Sequence, residues 1–243
     1  MSPLEISFRE FEELVQERPC IAYVSAEIDT DVTPLAAYSA MARGREEGYS
    51  FLLESGEKSA HSATGMGEEP ISIEGHAQYS FVGYDPDAVV TIGGNETEIL
   101  VLKDSTMANQ LAKGEGDVLD ILKGAVPRYP LVGFPNTNRQ QLLGGLIGFL
   151  SYEAVYDLWL REVGVQKKIS QIPDAQFVVN TKTIIFDHNI DKAHLAFTPL
   201  ITEETDLSSL YESLCHEVRD VMERIEMAKE PETVEIVISE ESV

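Results

Sequence analysis

Phe51-Leu52-Leu53-Glu54-Ser55 is an apolar run that ends abruptly in a carboxylate and a hydroxyl. With Tyr49 ahead of it and Gly48 and Gly56 at its ends, the run has the composition of a short strand bounded by turns. Burial alone does not call for Glu54 and Ser55 at the exit, because a buried carboxylate must find donors or lose its charge. Two readings follow. Either both side chains are solvated at a strand end, or they form a pocket wall. In a pocket the carboxylate accepts from a ligand ammonium and the hydroxyl serves the ligand's polar end. A second run, Gln78-Tyr79-Ser80-Phe81-Val82-Gly83-Tyr84-Asp85-Pro86, again alternates aromatic and small residues before an Asp-Pro turn.

Upstream of the first run, Phe8, Phe11, Leu14 and Val15 recur at helical spacing behind Ser7, and this pattern predicts a short amphipathic helix. Ile21 to Val24 reads as a strand, followed by an acidic turn through Glu27, Asp29 and Asp31. Thr33-Pro34 predicts the cap and first turn of another helix, with Leu35, Tyr38 and Met41 as its buried stripe. Residues 57–77 are polar and hold His61 and His76 without metal-ligand spacing, so they read as a long loop with surface histidines.

Downstream of the second run, residues 88–92 and 98–102 flank Gly93-Gly94-Asn95, a hairpin signal. Asp117 caps a helix that stops before Pro127, and the turn-rich residues 127–141 read as a covering loop. Gly144-Gly145-Leu146-Ile147-Gly148-Phe149-Leu150-Ser151-Tyr152 lacks the Lys-Ser/Thr ending of a phosphate loop; it reads as a buried strand whose glycines admit a close neighbour. Tyr152, Val155, Tyr156 and Trp159 then repeat at helical spacing and are expected in the core. Residues 183–187 and 193–198 form a second hairpin across Asn189-Ile190-Asp191, with Asp187-His188 at an exposed tip. A long helix over 206–228 carries Leu210, Leu214, Val218, Val221, Met222 and Ile225 on one face, and 233–238 reads as a last strand. Two hairpins without regular strand-helix alternation predict an α+β body of largely antiparallel sheets with flanking helices.

The chain has 243 residues, 42 of them acidic against 18 basic, for a formal net charge of -24. Such a charge repels nucleic acid and anionic lipid, so neither is an expected partner. With 43% hydrophobic residues but no apolar run of about 18, the composition is globular and a membrane span is not expected. Met1 to Glu5 lacks the basic start and apolar core of a signal peptide, which makes the cytoplasm the expected compartment. Cys20 and Cys215 show neither metal-ligand spacing nor a disulfide framework and are expected to be buried and reduced.

The Leu-Leu-Glu-Ser and Tyr-Ser-Phe-Val-Gly runs recur in order with two later elements, the Gly144 to Glu153 stretch and Pro173-Asp174-Ala175. Together these four resemble the N-terminal half of the large, chorismate-using subunit of anthranilate synthase. The resemblance implies a layered sandwich and an inhibitory L-tryptophan pocket. Carried over position by position, that pocket comprises Leu53, Glu54, Ser55, Gln78, Tyr79 and Ser80, with Tyr79 as an aromatic wall for the indole. Gln78 departs from the family, which commonly has a basic residue there; a charge-assisted bond at that point is worth about 1.5–3 kcal/mol.

The family's catalytic glutamates, which hold Mg2+ against chorismate, belong to a following half that nothing here resembles. The chain is therefore expected to carry no catalytic residue, metal ligand or cofactor of its own and to be inactive alone, with Mg2+ expected in the complete enzyme. Implied partners are the chorismate-binding catalytic half, a glutamine amidotransferase subunit and L-tryptophan. Two alternatives stand beside this reading. One is the corresponding subunit of aminodeoxychorismate synthase, in the folate pathway, which the intact Leu-Leu-Glu-Ser favours less. The other is a stand-alone amino-acid-binding or scaffold module.

Overall fold

The computed structural model describes residues 2–28, 31–42, 48–54, 79–93, 96–135, 141–160, 163–165 and 172–228. In chain order these form α1 (Phe8–Leu14), β1 (Cys20–Ala22), β2 (Val24–Ile28), α2 (Pro34–Ala42), β3 (Ser50–Glu54), β4 (Tyr79–Tyr84), β5 (Ala88–Gly93) and β6 (Glu96–Val101). There follow α3 (Thr106–Asn109), α4 (Val118–Ala125), β7 (Leu131–Val132), β8 (Gly145–Leu150), a π turn (Tyr156–Leu160), β9 (Ala175–Asn180), β10 (Lys182–Asp187), β11 (Lys192–Phe197), β12 (Leu200–Ile201) and α5 (Leu207–Glu226).

Two antiparallel sheets dominate. A five-stranded sheet runs β2-β11-β10-β4-β3 and a four-stranded sheet runs β6-β5-β9-β8; a small third sheet, β12-β1-β7, contains the parallel pair β1–β7. The α+β expectation holds. One face of the five-stranded sheet carries Val24, Ala26, Val82, Tyr84, Ile184 and Leu195, all buried in a core shared with α1, α2 and α5. Helix α5 supplies Tyr211, Leu214, Cys215, Val218, Val221 and Ile225 to that core, an apolar stripe at the helical period. A second core joins the four-stranded sheet to α3 and α4 through Val90, Val179, Met107 and Val118. Both cysteines are buried and free.

Local chemistry explains where the helices start. Ser7 accepts from the Glu10 amide while the Glu10 carboxylate accepts from the Ser7 amide at 2.7 Å, a reciprocal capping box. The Asp206 carboxylate accepts from the Ser208 and Ser209 amides at 3.0 and 3.1 Å, and these bonds, from Ser209 first, hold its pKa below the usual value.

The chain crosses from one large sheet to the other at Asp85-Pro86-Asp87. Asp85 takes φ +51°, and its carboxylate pairs with Lys103 and, at 3.2 Å, with Lys182, which also reaches Glu217 on α5 at 2.8 Å. Thr181 donates to Asp87 at 2.6 Å. Burial, reinforced by the Lys182 charge, pushes the Lys103 pKa down, while Asp85 opposes that shift.

Tertiary packing overrides several sequence expectations. The run from Ile21 to Val24 is two strands in two sheets: Ile21 pairs with Leu200 and Leu131, whereas Val24 pairs with Phe197. Glu27 lies in strand β2 and not in a turn. On α2, Leu35 is 45% exposed and the buried residues are Ala36, Ala37 and Met41, because small side chains let the helix approach β3 and β4. Within 127–141, Leu131 and Val132 pair with β1. The aromatic stripe is largely not core: Tyr152 is 84% and Trp159 67% exposed. The i→i+5 spacing of the π turn rotates the residues after Tyr156 out of the expected register. The loop 57–77, with His61 and His76, and the predicted strand 233–238 lie outside the described residues.

Two strand glycines, Gly148 and Gly83, make close cross-strand approaches of different kinds. Gly148 faces Phe177 across β8–β9, and a Cβ on it would lie 2.6 Å from the Phe177 Cα and closer still to the Gln176 carbonyl oxygen. Gly83 faces Phe51, whose ring covers it; a Cβ there would meet the ring's Cδ1 at 2.6 Å. A backbone cannot step aside as a ring can. Gly148→Ala should therefore cost about 3 kcal/mol or more in urea denaturation, and Gly83→Ala distinctly less. A second expectation concerns acid. The Asp206 cap contributes fully above the unfolded carboxyl value, about 3.9, and its contribution is lost as pH falls through the lower folded value. Asp206→Asn keeps a capping oxygen without the titration, so melting temperatures measured through the acid range should fall less steeply in the variant.

Candidate functional site

β3 and β4 are neighbours at one edge of the five-stranded sheet, in a register that opposes Leu53 to Phe81 and Glu54 to Ser80. The two runs quoted first from the sequence thus lie side by side. Because side chains alternate faces, Glu54 and Ser80 share the face that bears the helices, with Leu52, Val82 and Tyr84. Glu54 is exposed at the strand end, while Ser80 is 2% exposed, so the pair runs from solvent into the sheet.

Tyr79 takes the opposite face. Its ring is 6% exposed and packs with Ile185 and Ala196, next to Tyr23, Phe81 and Leu143, and its hydroxyl accepts from Gln141 Nε2 at 2.9 Å. The Tyr79 and Phe81 centroids are 5.8 Å apart. Leu53 shares this face and is half exposed. The structure brings Glu54 and Ser80 together, then, and puts Tyr79 and Leu53 on the reverse face. Ser55 and Gln78 lie outside the described residues.

The residue that sequence reasoning left aside is His188. It sits at the exposed β10–β11 turn, where no nucleophile or ligand is near in sequence. In the fold, β4 pairs with β10 so that Ser80 faces Phe186, and the chain just beyond carries His188 Nε2 to 2.7 Å from Ser80 Oγ. The neighbouring Asp187 carboxylate accepts from the Asn189 amide at 3.0 Å and so shapes the turn. The only sequence signal for this contact was the Asp-His pair itself; its partner is 108 residues away. Chemically the group offers a carboxylate, a hydroxyl and an imidazole across one end of the three adjacent strands β3, β4 and β10. These suit a ligand that carries an ammonium and a hydrogen-bonding polar end.

Known proteins resemble this chain in sequence. No family model matches the chain. The sequence is 44% identical over 215 residues to the anthranilate synthase component 1 of Haloferax volcanii, covering 88% of this chain and 40% of that protein. It is 46% identical over 224 residues to an anthranilate synthase component 1 of Haloarcula marismortui, covering 90% of this chain and 41% of the relative. It is 40% identical over 244 residues to one of Halobacterium salinarum, covering 98% and 46%. A crystal structure of anthranilate synthase component I from Streptococcus pneumoniae aligns with a TM-score of 0.35 at 20% identity, over 65% of this chain and 32% of that one. By sequence the chain belongs with the anthranilate synthase component 1 proteins. It spans about two-fifths of the length of these relatives.

The Ser80–His188 contact is open to a thermodynamic test. Removing His188 takes a partner from a hydroxyl that is almost fully buried, at a cost of about 1–3 kcal/mol. His188→Ala should lower the urea midpoint accordingly. In the double variant Ser80→Ala/His188→Ala the loss should be smaller than the sum of the single losses, and a strictly additive cycle would mean that the bond contributes nothing.

Proposed function

We propose that this chain is the N-terminal, tryptophan-sensing part of an anthranilate synthase component 1, completed by a chorismate-binding catalytic part. Together they would convert chorismate and ammonia, the latter supplied by a glutamine amidotransferase subunit, to anthranilate and pyruvate. In this reading Mg2+ belongs with the catalytic part. The present chain contributes the Glu54 carboxylate and the Ser80 hydroxyl, with Ser55, to the amino-acid group of tryptophan.

The observation that carries the division of labour is the surface around β8. This strand is the edge of its sheet, and Phe149, Leu150, Tyr152, Trp159, Val163 and Ile172 are all exposed on it or on the segment that follows. Large apolar side chains left exposed along one segment of chain, beside a sheet edge, are the kind of surface that interaction sites use. A stripe at helical spacing that would be core in a complete body faces solvent here, which fits a body whose remaining part supplies the cover.

Tryptophan would act by differential affinity, favouring one arrangement of the two parts over another. The deciding experiment is calorimetric titration of L-tryptophan into the chain alone and again after addition of the separately expressed catalytic part. Binding only in the mixture is the expected result. Tight binding to the chain alone would make it an independent amino-acid-binding module, and no binding in either case would remove the sensing role. In the mixture, Glu54→Gln should weaken binding by about tenfold or more, the equivalent of one charge-assisted hydrogen bond.

A further inference from the structure

We propose that Glu5, Glu27 and His194 form a binding site for one divalent transition-metal ion of the Zn2+ kind. The site lies at the β2 edge of the five-stranded sheet, the edge opposite the Glu54–Ser80 pair. Backbone geometry assembles it. Glu27 and His194 are direct register partners on β2 and β11, so their side chains leave the same face next to each other. Glu5 is brought to them by its own main chain, since its amide donates to the Ser25 carbonyl of β2 at 2.8 Å. One imidazole nitrogen and two carboxylate oxygens thereby lie within 4.8 Å of one another, with His194 Nδ1 and Glu5 Oε1 at 3.7 Å.

A tetrahedral zinc ion with bonds near 2.1 Å needs ligand atoms about 3.4 Å apart. The Glu5–His194 pair is already close to that spacing. The third ligand is on an exposed glutamate and reaches it by rotation of its side chain alone. The supports are in place as well. Ser25 donates to the second oxygen of Glu5, and Tyr23 hydrogen-bonds Ser25, so the carboxylate is oriented from behind, as ligating carboxylates are in metal sites.

Lys192 donates to Glu27 Oε1 at 2.7 Å. That bond leaves Oε2 for the ion, and Lys192, half exposed like its partner, is free to swing into solvent. The chemistry of the donors selects the ion. An imidazole nitrogen beside two carboxylates suits zinc and its neighbours, whereas magnesium and calcium prefer oxygen alone. Water would complete the coordination on the open side. Such an ion would tie the segment leading into α1 to the edge strand of the main sheet and add its binding energy to folding.

The test is titration of ZnCl2, and separately MgCl2, into the full chain in molar salt, which screens the diffuse attraction of a chain with net charge -24. One Zn2+ per chain, bound at least tenfold more tightly than Mg2+, is expected, together with a melting temperature that rises with Zn2+. His194→Ala and Glu27→Gln should each weaken Zn2+ binding at least tenfold while melting as the unsubstituted chain does in EDTA. Lys192→Ala should leave binding equal or tighter. Zinc affinity unchanged by His194→Ala, or equal affinity for Zn2+ and Mg2+, would overturn the site and assign the binding to diffuse charge or to other residues. If His194→Ala fails to fold, the Glu27→Gln chain decides by the same criterion.

Discussion

The antiparallel register of β4 between β3 and β10 is the constraint on which the rest of this structure depends. Opposing Glu54 to Ser80, and Ser80 to Phe186, sets three things at once. It puts the two motif strands side by side, it commits Tyr79 and Phe81 to the face away from the helices, and it brings the β10–β11 turn with His188 over Ser80. A slip of one residue would exchange the two faces of β4, bringing Tyr79 to the helix side and Ser80 to the other. Across this pair the absent side chain of Gly83 leaves space that the Phe51 ring opposite fills.

At the end of β4 the chain must change sheets, and it does so in a charged environment. Asp85 is held by Lys103 and Lys182, and Lys182 reaches on to Glu217 of α5, so one network joins the crossover, the central strand β10 and the longest helix. Burial disfavours the Lys103 charge, yet that charge answers the Asp85 carboxylate, which Lys182 also pairs. The two large sheets are thus joined by this covalent turn, by Thr181 between β9 and β10, and by an ion network.

The same molecule leaves part of its apolar surface uncovered. Phe149 and Leu150 of edge strand β8, and Tyr152 and Trp159 after it, are exposed, while the close approach at Gly148 lies on the β9 side. A sheet edge of this composition is a natural joint. The chain matches some two-fifths of the length of its relatives.

Much of this was legible in the residues. The period-two and period-3.6 patterns located the strands and helices, Ser7, Asp117 and Asp206 announced their helix starts, and the Leu-Leu-Glu-Ser and Tyr-Ser-Phe-Val-Gly runs pointed to one another before any pairing was known. Those are local matters, decided by side-chain periodicity and by hydrogen bonds that span three or four residues. Contacts between distant segments were not legible. Ser80 meets His188 across 108 residues, Glu5 meets His194 across the sheet edge, the run at Ile21 divides between two sheets, and Tyr152 and Trp159 face solvent where their spacing suggested core. Each of these depends on which strand becomes whose neighbour and on what covers a surface. That outcome is set by the summed burial of the whole chain, which no stretch of sequence carries alone.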